Sequence, residues 1–219
     1  MVFATDTVSR RQYFLRIKNL ETGEIYQDVI ENTTGSSVWA NDNKTIFYTK
    51  KDPVTLRSVK IYRHILGTPT SEDVLVFHEK DDTFGTYVTK SKSNKYIIIG
   101  SYNTVSSEAQ YLDADTPTAP FSMLQPRERD LEYDVAHFED HFYLLTNKDN
   151  AINFKLMRTP VSKTGKENWE DVIPHRDNTL LEDFSIFKDY LVLEERNNGL
   201  NKIRIKRWDG KEDYYLPFS

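Results

Sequence analysis

Five histidines, His64, His78, His137, His141 and His175, are the side chains of this chain best suited to moving a proton near neutral pH. A nucleophilic site needs one of them beside a hydroxyl and a carboxylate, and the surrounding pattern supplies no such frame. None of the eight glycines builds a Gly-x-Ser-x-Gly elbow. His78 and His137 fall on alternating, strand-like segments and His141 follows a turn, so each reads as a structural histidine. His78-Glu79 opens like the two-histidine zinc motif, but Asp82 stands where the second histidine belongs and the segment has no helical period. Asp81-Asp82 and Asp113-Ala114-Asp115 would suit a hard cation only with the spaced oxygens and glycine of a calcium loop, so they read as solvated turns. With no cysteine, thiolate chemistry is out. The sequence therefore assigns no catalytic residue, no metal site and no cofactor.

One cluster is less ordinary. In Gln125-Pro126-Arg127-Glu128-Arg129-Asp130-Leu131-Glu132-Tyr133 two guanidinium groups alternate with carboxylates. Arg127 and Arg129 are candidates for holding a carboxylate of a partner domain or a peptide, because the guanidinium fork fits it with two parallel hydrogen bonds. The competing reading is local ion pairing with Glu128, Asp130 or Glu132, and it is the simpler of the two.

The elements that must carry these residues repeat. An alternating strand, a polar turn, an apolar strand, a strand with outward charges and a short closing strand recur about every 48 residues, a spacing typical of β-propeller blades. The apolar second strands are residues 45–49, 96–100, 141–145 and 190–194. Such strands are expected where both faces pack on neighbours; the charged third and fourth strands fit an outer, half-solvated position. Turns such as Asn41-Asp42-Asn43-Lys44 and Asp209-Gly210 have the chemistry to reverse the chain. No segment keeps a helical period over 11 or more residues. The fold class is all-β: a partial β-propeller of about four to five four-stranded antiparallel blades, placed at 1–30 (partial), 31–80, 81–125, 126–174 and 175–219. The first blade lacks its opening strand, and so few blades do not close an ordinary ring, so the chain reads as a piece of a larger protein. Open blade ends would favour self-association.

Bulk properties exclude several classes. The formal net charge of -5 argues against a general nucleic-acid binder. No apolar run reaches the ~18 residues of a membrane-spanning helix, and the first residues lack the basic and apolar regions of a signal peptide. The absence of cysteine suits the cytoplasm, the location favoured here, and suits a bacterial periplasm too.

Recognisable stretches run in one order along almost the whole chain. They include Thr33-Thr34-Gly35-Ser36-Ser37-Val38-Trp39-Ala40-Asn41-Asp42-Asn43 and Pro126-Arg127-Glu128-Arg129-Asp130-Leu131-Glu132-Tyr133, with residues 55–64, 79–84, 90–97, 151–156 and 195–200 between and after them. In these the chain resembles the propeller domain of the oligopeptidase B (protease II) branch of the prolyl oligopeptidase family of serine peptidases. The resemblance implies a seven-bladed propeller covering an α/β-hydrolase domain with a Ser/Asp/His triad, and cleavage of short peptides after Lys or Arg. The hydrolase domain follows the propeller in that family and has no counterpart positions here, so none of its catalytic residues carries over. The implied function is a non-catalytic gate that filters substrates by size, inactive as a peptidase by itself. Its implied partners are the missing C-terminal hydrolase domain of the same polypeptide and short basic peptides. The alternative is a stand-alone propeller that binds partners and does no chemistry.

Overall fold

The computed structural model describes residues 1–217 and is built almost wholly from antiparallel strands. The first sheet has six: β1 Val2–Thr5, β2 Tyr13–Lys18, β3 Ile25–Trp39, β4 Thr45–Lys51, β5 Ser58–Ile65 and β6 Val74–His78, neighbours in that order. Three sheets of four follow. They hold β7 Gly85–Lys90, β8 Tyr96–Tyr102, β9 Ser107–Asp113 and β10 Ser122–Gln125; then β11 Tyr133–Phe138, β12 His141–Thr146, β13 Lys155–Pro160 and β14 Glu170–Ile173; and last β15 Leu180–Ile186, β16 Tyr190–Asn197, β17 Leu200–Arg207 and β18 Asp213–Tyr215. The described helical residues are three single turns of 3-10 helix.

The six-stranded sheet differs from the expected arrangement. A closing strand at residues 25–29 and a new opening strand near residue 36 fuse into the one long β3. Thr33 explains the fusion: it pairs with Tyr13 on one side and Lys50 on the other, so the same strand closes one hairpin and opens the next. The bend this requires comes from left-handed backbone at Asn32 (φ 60) and Gly35 (φ 88). At Gly35 a Cβ would stand 3.0 Å from Cγ of Tyr13, so the close approach of that ring also demands glycine.

The second strands are the driest elements. β8 is buried from Tyr96 to Ser101 and β12 from Phe142 to Thr146. In the sequence these are the runs without alternation, because both faces of the sheet meet apolar neighbours. The chain divides into two compact units, Met1–Pro126 and Arg127–Ser219. In the first, Phe47, Ile61, Val88, Ile97, Ile99 and Leu112 form a core joining the first two sheets. In the second, Tyr143, Leu145, Leu156, Ile173, Leu191 and Leu193 do the same for the last two. Each such side chain contributes about 1.5–3 kcal/mol when fully removed from water.

Candidate functional site

The segment before β11 belongs to the second unit and is held by a small polar clamp. Asn147, just after β12, accepts the Glu132 backbone N–H at 2.9 Å, and its amide donates to the Asp130 carbonyl (3.1 Å) and to Glu132 Oε1 (3.2 Å). Thr146 Oγ1 donates to the Glu132 carbonyl at 2.7 Å. Asp130 takes left-handed backbone (φ 65), tolerable for Asp because its short polar side chain bonds locally.

Of the two candidate arginines, Arg129 projects into solvent with its side chain 90% exposed, 3.7 Å from an exposed Asp130 carboxylate. A pair of that kind contributes about 0–1 kcal/mol, so it leaves the guanidinium open to exchange partners. Arg127 is half-buried. Glu128, one of the expected partners, pairs with Lys166. The two arginines are on one short loop, and Arg129 lines a shallow hollow with Lys148, Asp149, Lys166 and Glu167.

Next to this loop, buried Lys155 sits between Asp149 (2.9 Å) and Asp171 (3.0 Å). Burial alone would lower its pKa, but the hydrogen bonds from both carboxylates raise it, and Lys155 and Lys148 hold Asp149 below the usual range. Such a lysine is permanently charged and structural. On β11, desolvation and then the charge of Asp183 on β15 push the Asp134 carboxyl above its ordinary range; Glu132 is raised by desolvation and then by Asp134. These three carboxylates, Glu132 just ahead of β11, Asp134 on β11 and Asp183 on β15, form a negative ridge.

The histidines are scattered. His64 is fully buried, with Nε2 2.9 Å from Asp28 and Nδ1 2.7 Å from Asp73. His137 is buried on β11 with Phe142 edge-on at 5.4 Å. His141 meets Asp140 at 2.6 Å in the turn it follows, His175 lies 3.7 Å from Asp177, and His78 is exposed at the end of β6. Among the described residues no three His, Asp or Glu side chains converge as a metal site. Sequence reading gave no sign of the two carboxylates that hold His64, because they lie 36 and 9 residues away and carry no local signal.

With this geometry in place, known proteins can be compared. A family model described as "Prolyl oligopeptidase, N-terminal beta-propeller domain" matches residues 1–217. The chain belongs to the prolyl oligopeptidase family. It is the family's N-terminal propeller domain that the four sheets represent. The chain is 42% identical over 214 residues to dipeptidyl aminopeptidase BI of Pseudoxanthomonas mexicana, covering 98% of this chain and 30% of that protein. It is 36% identical over 194 residues to Protease 2 of Moraxella lacunata, covering 88% of this chain and 28% of that protein. Among solved structures, oligopeptidase B from Leishmania major superposes with a TM-score of 0.93 at 27% identity, covering all of this chain (100%) and 32% of that one. Oligopeptidase B from Trypanosoma brucei, in a closed form with covalently bound antipain, gives 0.85 at 30% identity, over 98% of this chain and 30% of that one. The chain thus spans about 30% of the length of these prolyl oligopeptidase relatives.

Proposed function

We propose that this propeller is the gating and substrate-filtering part of a serine peptidase of the oligopeptidase B type, acting on short peptides with a Lys or Arg at the cleaved bond. The supporting observation is the likeness to oligopeptidase B over the whole of this chain and only about a third of the solved protein. On this reading an α/β-hydrolase domain of the same polypeptide supplies the nucleophile, acid and base. The propeller supplies what a rigid ring of sheets does well: it restricts entry to flexible peptides and keeps bulky proteins and bulk water from the reaction. The ridge of Glu132, Asp134 and Asp183 supports a preference for cationic peptides, since carboxylates that already repel one another gain most from an arriving cation. Arg127 and Arg129, on the loop ahead of β11, are proposed contacts to the partner domain or to peptide carboxylates. A cytoplasmic setting is proposed with it.

The test is hydrolysis of a fluorogenic dibasic peptide by the purified 219-residue chain and by the product of the whole reading frame. Turnover by the whole product alone, abolished by a serine-directed reagent, is the expected result. Turnover by the isolated chain, or a stop codon directly after residue 219, would overturn the proposal and favour a stand-alone interaction module.

A further inference from the structure

β17 carries Lys202, Arg204 and Lys206 at alternate positions, so all three lie on one face of the sheet. That face turns toward β14, because Leu191 and Leu193 of the adjoining strand pack on Ile173 in the same core. Arg176, from the connection between β14 and β15, joins them. The result is a cleft of ≈ 560 Å³ whose walls both belong to the second unit, with Ile173 and Pro174 on one side and Arg204, Lys206 and Tyr215 on the other.

The charges in this cleft do not balance. Three cations line it, Arg176, Arg204 and Lys206, and two carboxylates answer them: Glu195, which is buried, and Asp213. Glu195 is bound by Arg176 and by the Tyr215 hydroxyl at 2.7 Å. Asp213 takes Arg204 Nε and Nη2 at 2.6 and 2.7 Å as a two-pronged pair, and Lys206 Nζ at 3.1 Å. This leaves Arg204 Nη1 at 3.8 Å from Glu195, beyond hydrogen-bond reach, and Lys206 with two further N–H donors. Lys202, on the same face but outside the cleft's lining, stands 5.5 Å from the centroid of the Tyr215 ring. A surplus of one positive charge in a chain of net charge -5, with spare donors gathered beside an apolar wall, is a binding arrangement for an anion with a hydrophobic body.

We infer that this cleft binds a phosphate monoester carrying an apolar or aromatic group. A phosphate monoester carries about -1.5 to -2 charge near pH 7 and three acceptor oxygens, which suit the spare donors of Arg204 and Lys206. Its bonds to Arg204 Nη1 and Lys206 Nζ leave the Asp213 fork in place, and its organic part lies against Ile173, Pro174 and the Tyr215 ring. The inference does not depend on the gating role, since all of its parts lie within β14 to β18 and the connections between them.

The experiment is titration of the chain with phenyl phosphate, inorganic phosphate and benzoate in chloride buffer at fixed ionic strength, followed by calorimetry. Saturable binding is expected, tightest for phenyl phosphate. Lys206→Gln is expected to weaken it by about tenfold, the loss of one charge-assisted hydrogen bond. Lys202→Gln, at a partly exposed side chain just outside the cleft's lining, is a second variant expected to fold normally and to weaken binding less. Binding that does not saturate, equal affinity for benzoate and phenyl phosphate, or affinity untouched by both substitutions would overturn the inference.

Discussion

Asp73 Oδ1 lies 2.7 Å from Nδ1 of His64, and both side chains are shut away from water. The pair is half of a symmetric arrangement, because Nε2 of the same ring meets Asp28. Asp28 also accepts the Gly67 backbone N–H at 2.7 Å, and Asp73 accepts the Tyr48 hydroxyl at 2.8 Å. One imidazole ring and its carboxylate partners thus tie β3, β4, β5 and the segment ahead of β6 together. Burial alone would lower the pKa of His64, but its bonds to Asp73 and Asp28 raise it; burial and then Asp73 push the Tyr48 hydroxyl up.

The pH dependence follows from that direction. A histidine whose folded pKa is raised above the unfolded value of 6.5 binds its proton more tightly when folded. Its stabilisation is complete below that unfolded value and is lost as pH climbs through the raised one. Thermal unfolding across pH 5–9 is expected to show the midpoint falling on the alkaline side. His64→Ala is expected to flatten that fall and to cost about 3–5 kcal/mol, because two buried carboxylates lose their counter-charge. A variant with the wild-type slope would show that His64 is neutral in the fold.

Asp134→Asn is expected to raise the unfolding midpoint at pH 7. A carboxyl raised by desolvation and by Asp183 is held charged at a cost at neutral pH, and the amide removes that cost. In the whole protein the same change is expected to raise KM for a dibasic peptide more than for a neutral one. A lowered midpoint, or equal KM changes, would contradict the negative ridge.

Gly100 faces the Tyr87 ring so closely that a Cβ would fall 2.3 Å from Cζ. Gly100→Ala is expected to cost about 1–3 kcal/mol through overpacking. Tyr87→Ala, at a partly exposed ring, is expected to recover most of that loss in the double mutant. Additive effects in denaturant unfolding would show that the ring is not the obstacle.

Arg129→Ala is expected to leave the stability of the chain unchanged, within the ±0.5 kcal/mol typical of a free surface position. Any effect belongs to the whole protein, as a change in kcat/KM without a change in unfolding midpoint. A destabilised isolated chain would assign Arg129 to the local ion-pair reading.

How far the sequence carried depends on the kind of interaction. The strands were legible because burial on two faces writes uninterrupted apolar runs such as residues 141–145, and turn residues mark their ends. The fused β3 was not, because its bend depends on backbone angles at Asn32 and Gly35 and on Thr33 pairing to both sides, none of which alters the local pattern. The loop of Arg127 and Arg129 was visible as alternating charge, yet the actual partner of Glu128 is Lys166, 38 residues on. Long-range pairing also hid the cleft beside β17: Arg204 and Lys206 read as part of an outward charged face, and the approach of Arg176 and β14 makes them a wall.

The central claim is most directly tested by size selection in the product of the whole reading frame. The substrate is a small folded domain carrying an Arg-Arg loop that trypsin cuts readily, compared with the excised loop as a free peptide. The account predicts that the peptide is cleaved and the folded domain is spared. Cleavage of both at comparable kcat/KM would contradict a propeller that filters by size.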